Sequence, residues 1–295
     1  MPQVLTQHFS AFANQALHLG VWLVLLTIIF VPLERWFALQ PKHLRAKTQV
    51  ADIGYYFLNS LLPAAILSVP VALLAAGVRQ VTPAAFSEAV ASLPLWARLV
   101  AGLVVSDIGS YWGHRWSHES PFLWRFHAVH HSPEHLNWMM NTRAHPVDMV
   151  FTRLCGLVPL YALGLAQSNH GVSGDMVPVY VTLIGTVWSF FIHADVRWRL
   201  GPIEWVISTP AFHHWHHTND HNRDRNYAAI LPWIDRLFGT HFLPGHWPPV
   251  YGIDHPVAPG MKAQLLDPMT GFRTTPTTIV QAEGAKPGHE QLASD

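Results

Sequence analysis

Five stretches of this 295-residue chain are apolar over lengths close to what a bilayer crossing needs, which is about 20 residues per helix. The first runs from about Ala16 to Phe37 and contains LGVWLVLLTIIFVPL. The second, about Ile53 to Gly77, carries Pro63 and Pro70, which predict a kink or break. The third is Leu95 to Trp112, the fourth Met149 to Leu165 and the fifth Val177 to Ile192. Arg153 marks the fourth as tilted, interfacial or packed inside the protein. Only 12% of the residues are charged, against roughly 25% in soluble domains. Trp22, Trp36, Trp96, Trp112 and Trp188 lie near the ends of these runs, as interfacial belts do. The first run lacks a preceding positive charge and ends at Glu34-Arg35, unlike a cleavable signal. The fold class expected is an all-α integral membrane protein of four to five apolar helices.

Loop charge sets the orientation. The loop 40–52 carries Lys42, Arg45 and Lys47, loop 77–94 has one Arg and one Glu, and loop 166–176 has Asp175 with no Lys or Arg. Threading the runs alternately places 113–146 and everything after 193 in the cytoplasm, as a helical cap. The expected domain is 1–257, followed by a Pro-, Thr-, Gln- and Gly-rich tail, 258–295, read as mostly disordered. Acidic and basic residues balance at 18 each, which gives no hint of a nucleic-acid partner. The single cysteine, Cys155, excludes a disulfide framework and a thiolate metal site.

Three histidine clusters carry the chemistry: His114-x3-His118, His127-x2-His130-His131 and His213-x2-His216-His217. Residues three and four apart share a helix face, so each cluster is expected to act as a clamp on one face. Ser120-Pro121 and Thr209-Pro210 precede the second and third clusters and predict helix starts, with Ser or Thr as cap and Pro at the first helical position. Imidazole suits iron, zinc, copper and nickel. Eight imidazoles exceed the four ligands of one tetrahedral zinc, so the expectation is two metal ions. His193, ending the fifth run in FFIHAD, is placed as a further ligand. Asp107, His145 and His214 are placed behind the ligands, as groups that hold them, because ligating histidines give their other N–H to a carboxylate or carbonyl. His135 reads as a loop residue.

An all-imidazole cluster beside a membrane suits dioxygen activation at iron for attack on a lipid chain. A zinc-dependent membrane hydrolase is the enzymatic alternative, although HExxH is absent. A metal-handling membrane protein is the other, but the apolar runs hold few charged groups to mark an ion path.

From Asp107 to Thr240 the chain reads DIGSYWGHRWSH, LWRFHAVHHSPEHLNW, RAHPVD, FFIHAD and TPAFHHWHHTNDHNRDRNYAAILPWIDRLFGT in order. These motifs resemble the fatty acid hydroxylase and sterol desaturase superfamily of integral-membrane di-iron enzymes. The resemblance implies hydroxylation or desaturation of a lipid with dioxygen and two electrons, drawn from NAD(P)H through a separate redox protein. It implies that His114, His118, His127, His130, His131, His213, His216 and His217 bind two iron ions, with His193 as a ninth ligand. Asp195, Asp148 and His214 stand where the family commonly has Asn, Glu and Arg. No haem domain, flavin fingerprint or cysteine set for an iron–sulfur cluster is visible. Arg197, Arg199, Arg223 and Arg225 are the expected docking surface for the redox partner. A bacterial inner membrane is favoured over endoplasmic reticulum, since no lysine-rich retrieval signal is seen.

Overall fold

A computed structural model describes residues 2–40, 46–166, 176–254, 257 and 260–270. It consists of ten α-helices: α1 Pro2–Phe37, α2 Ala46–Val81, α3 Ala84–Ser92, α4 Leu95–Glu119, α5 Pro121–His131, α6 Pro146–Ala162, α7 Met176–His193, α8 Pro210–His216, α9 Trp233–Leu237 and α10 Met261–Thr270. Two 3₁₀ turns lie at Trp138–Thr142 and Gly201–Trp205. Among the described residues β-structure is limited to one isolated bridge, Thr218 to Tyr251.

Three helices are long and apolar enough to cross a membrane: Phe12–Phe37, Val50–Val81 and Met176–His193. The pair α3–α4, bent by 110°, forms a broken span or a re-entrant loop. Val24, Ile28 and Ile29 on α1 and Val69 and Leu73 on α2 face outward, as a lipid-facing surface requires. Of the kink or break expected at Pro63 and Pro70, there is no break, since α2 runs through both. The fourth apolar run folds as α6, only 17 residues long, and packs against α4 and α2 inside the bundle. Small residues make that approach possible. A Cβ on Gly113 would stand 2.8 Å from the Cβ of Cys155, and one on Gly109 would run into the Cys155 carbonyl.

An aromatic core joins α1, α2 and α7 to the Trp138–Thr142 turn. Trp138 stacks on Phe30 at 5.6 Å, with Tyr56 and Phe190 beside them, a contact that adds about 0.5–1.5 kcal/mol beyond burial. The end of α1 is tied to the cap by two carboxylates. Glu34 accepts from the amides of Trp138 (2.7 Å) and Asp195 (3.0 Å), and Asp195 accepts from those of Leu39 and Gln40.

The tail differs from expectation at its start. Residues 261–270 form α10, held by Tyr55 Oη donating to Gln264 Oε1 (3.0 Å), His145 Nε2 to the Leu265 carbonyl (3.1 Å) and Arg125 to the Pro268 carbonyl. The rest of the tail, 271–295, lies outside the described residues, as do Lys42, Arg45 and Asp175 of the orientation argument.

Candidate metal centre

The two capped helices start where their sequences place them. Ser120 Oγ accepts from the Leu123 amide with Pro121 in the first turn, and Thr209 Oγ1 accepts from the Phe212 amide with Pro210 likewise. With the end of α4 and the end of α7, they converge nine imidazoles in a buried volume. The imidazoles fall into two groups that can each hold a metal ion: His114, His118, His127, His131 and His216, and His130, His193, His213 and His217. Within each group the ligand atoms lie within 4.8 Å of one another.

All nine sequence-selected histidines are therefore brought together; His114 and His118 enter one group as expected, but the second and third clusters do not act as one-face clamps. His127 and His131 enter the first group while His130 enters the second; His213 and His217 enter the second while His216 enters the first. Residues four apart differ by about 40° around a helix, whereas neighbours differ by about 100°. An HxxHH motif is thus a fork that serves two sites.

The hydrogen bonds behind the rings fix their proton positions. A carbonyl only accepts, so His114 donates from Nδ1 to Tyr227 O (2.8 Å), His130 to Arg143 O (3.1 Å), His193 to Ser189 O (2.7 Å) and His216 to Arg225 O (2.8 Å). Carboxylates take the same place behind His118, whose Nδ1 meets Asp224 at 2.9 Å, and His127, whose Nδ1 meets Asp148 at 3.0 Å. With Nδ1 engaged behind it, each of these rings turns its Nε2 to the interior, the atom with which a neutral ring binds a metal.

The inner nitrogens crowd together: His193 and His213 Nε2 stand 2.9 Å apart, His213 and His217 3.1 Å, and His127 and His131 3.1 Å, while His130 and His193 Nε2, at 3.2 Å, oppose two bare lone pairs because both rings keep their proton on Nδ1. His118 Nε2 and His216 Nε2 are buried with no hydrogen-bond partner. Opposed lone pairs repel unless a cation lies between them. Metal–nitrogen bonds of about 2.1 Å set neighbouring ligand nitrogens roughly 3 Å apart, which is the spacing seen. The donor set fits metal ions.

Burial, reinforced by neighbouring imidazoles, holds His130, His131, His213, His216 and His217 well below the ordinary histidine range, so they stay neutral and available as ligands. Burial alone would raise Asp148, but His127, with smaller help from His114 and Ser117, draws its carboxyl below the usual value.

The supporting residues are partly reassigned. Asp107 touches no histidine; it accepts the backbone amides of Ala229, Ile230 and Leu231 at 2.7–3.3 Å, bracing the loop whose Tyr227 carbonyl receives His114. His145 caps α6 by accepting from the Val147 amide and holds α10, outside the metal centre. His214 bridges Tyr251 Oη (3.0 Å) and the Ala194 carbonyl (3.1 Å), steadying the backbone beside His193. Sequence reasoning missed the carboxylates that do touch the candidate ligands. Asp148 was visible only as a departure in RAHPVD, and Asp224 carried no signal. Asn226, in the left-handed region at φ 59°, donates to the Phe212 and Phe242 carbonyls and accepts from the Phe242 amide, which folds the loop behind His216. The basic surface is largely engaged within the chain: Arg223 pairs with Asp254 at 2.7 Å, Arg199 donates to the Pro244 carbonyl, and Arg225 lies over the Phe242 ring.

Comparison with known proteins agrees with this geometry. The fatty acid hydroxylase family model matches residues 99–240. An ornithine lipid hydroxylase, OlsE, of Rhizobium tropici is 38% identical over 60% of this chain and 52% of its own. The human alkylglycerol monooxygenase is 33% identical over 63% of this chain and 42% of its own. A methylsterol monooxygenase, 2-2, of Arabidopsis thaliana is 24% identical over 81% of this chain and 90% of its own. The chain spans about half the length of the rhizobial relative. No solved structure matches. With both histidine groups lying inside the matched region, residues 99–240 form a fatty acid hydroxylase domain.

Proposed function

We propose that this protein is a membrane oxygenase that inserts one oxygen atom of dioxygen into a lipid C–H bond at two iron ions. The observation that carries the reading is the pair of adjacent all-imidazole groups, nine ligands with no carboxylate among them. That set exceeds one tetrahedral zinc. His114, His118, His127, His131 and His216 would hold one ion, and His130, His193, His213 and His217 the other. When bound, the irons supply dioxygen activation. The chain's own residues supply position: carbonyls of Tyr227, Arg143, Ser189 and Arg225 and carboxylates of Asp148 and Asp224 orient the rings, and burial excludes water from the reacting region.

The substrate class is a lipid, in keeping with the relatives, which are named for an ornithine lipid, alkylglycerols and methylsterols. Two electrons come from NAD(P)H through a separate redox protein. The centre sits on the cytoplasmic side of a multi-pass protein, in a bacterial inner membrane. The test is purification in detergent, metal analysis and turnover of membrane lipids under ¹⁸O₂ with a chemical reductant. About two irons per chain and one ¹⁸O atom in the product lipid are expected; His130→Ala should lose about one iron and the ¹⁸O incorporation. Full zinc occupancy, no iron uptake and oxygen-independent turnover would replace the oxygenase with a hydrolase.

A further inference from the structure

We infer that the surface formed by the Gly201–Trp205 turn, Val206 and α9 contacts the membrane, seated in the leaflet from which the metal-bearing ends of α4 and α7 emerge. The inference rests on reading α1, α2 and α7 as spans.

The level of this surface is fixed by what lies behind it. The Trp188 indole of α7 donates to the Ser208 carbonyl (3.1 Å) and hydroxyl (3.0 Å). A Cβ on Gly185 would meet Ile230 at 4.0 Å. These positions lie five and eight residues before His193, hence roughly 8 and 12 Å inside the end of the helix. On α4, Asp107 grips the amides of residues 229–231, seven residues or roughly 10 Å before His114. Segments 206–208 and 229–231 therefore run beside the apolar helices, below the level of the histidines.

The outward side of this region is apolar. Ile203 is 54% exposed, Trp205 65%, Val206 65% and Leu237 67%. Such a concentration is unusual against water, and Ile184 and Val187 of α7, one residue from Gly185 and Trp188, are exposed as well. Arg236 lies 4.0 Å over the Trp205 ring and donates to the carbonyls of Trp205 (2.8 Å) and Glu204 (3.4 Å). It satisfies backbone acceptors that lipid could not, and its long stem lets the charge reach the headgroups. An indole with an arginine over it is an interfacial pair. The leaflet then reaches to within a few residues of Tyr227, whose ring lies 5.2–5.8 Å from those of His114, His118 and His216.

The test is site-directed spin labelling of the full chain in lipid nanodiscs. Labels go on Val206→Cys and Leu237→Cys in a Cys155→Ser background, with Cys155→Ala as a second background. Ile29→Cys on the exposed face of α1 reports lipid, and Asp254→Cys, at an exposed polar position, reports water. Relaxation by molecular oxygen is compared with relaxation by a water-soluble nickel chelate. Expected is dominance of oxygen at 206 and 237, as at 29, and dominance of the chelate at 254. Chelate dominance at 206 and 237 with oxygen dominance at 29 overturns the inference and leaves the spans standing. Chelate dominance at 29 as well overturns the spans, and the inference with them.

Discussion

Asp148 holds a first-group ligand from behind, and replacing it tests whether the two groups are separate sites. Its Oδ2 accepts from His127 Nδ1 at 3.0 Å and its Oδ1 from Ser117 Oγ at 3.3 Å, and both partners of the histidine contact are about 5–6% exposed. Asp148→Asn keeps the shape and removes the charge. With the amide oxygen towards the ring, the hydrogen bond falls to about half its strength. With the amide nitrogen towards it, the ring proton is driven to Nε2 and the ligand is lost. Loss of such a partner costs about 10–100-fold in metal affinity, or about 1.4–2.7 kcal/mol. Asp224→Asn makes the same change behind His118, but Asp224 is 56% exposed. Water screens that pair and replaces the lost acceptor, so about 0.2–1 kcal/mol is expected, less than about fivefold. The assay loads each variant with ferrous iron and titrates it with a chelator while counting retained iron. Asp148→Asn should release one iron at chelator concentrations that leave the other in place, with Asp224→Asn close to the parent. Equal retention in the two variants would refute the reasoning, because burial would then not decide the strength of the support.

Other expectations follow from the same geometry. His216→Ala and His213→Ala should each remove about one iron per chain, with His213→Ala the more severe because its group drops from four ligands to three; loss of both irons in both variants would show one cooperative site. Gly109→Ala drives a methyl into the Cys155 carbonyl and to 2.9 Å from Pro159 Cγ, so detergent-state stability should fall by about 1–3 kcal/mol, while Gly20→Ala, with nothing within 4 Å, should leave it unchanged. The metal-free protein should lose stability as pH falls. Folded His130, His131, His213, His216 and His217 resist protons that the unfolded chain takes up below about 6.5. The urea midpoint should therefore be flat above that pH and decline below it, and a rise towards acid would contradict the burial of these rings.

The candidate ligands were legible because metal binding by imidazole needs a rare residue at a helical spacing, and the capped helix starts were legible because Ser-Pro and Thr-Pro act within one turn. Partition of the ligands was not. Helix geometry turns His130 away from His127 and His131, but that it meets His193, His213 and His217 depends on which helices flank α5, and that is a tertiary fact. The same limit explains α6. Arg153 leaves packing inside the protein as one of three readings of this run, and what selects it, Gly109, Gly113 and Gly156 letting α6 dock on α4, is invisible in a window of apolar residues. Alpha10 was hidden for a related reason: a Pro-containing polar stretch reads as unstructured, and its order comes from Tyr55, His145 and Arg125, all distant in sequence.

Charged groups in apolar helices are costly unless they are paired, and two of them, Asp107 and Asp52, hold loops behind the candidate ligands. Asp107 of α4 binds the amides of residues 229–231, while Asp235 binds those of Tyr227 (2.7 Å) and Ala228 (2.9 Å), so the carbonyl that receives His114 belongs to a stretch gripped from both ends. On α2, Asp52 pairs with Arg143 at 2.6 Å, and Asn59 donates to the carbonyls of Thr142 and Ala144, on either side of the carbonyl that receives His130. Each group is thus supported by a loop clamped to an apolar helix. Few polar residues in the spans argued against an ion path, and the few that exist do not form one. They convert the rigidity of the helices into fixed proton positions on the imidazoles, which a nine-histidine centre needs if every ring is to present a lone pair rather than a proton.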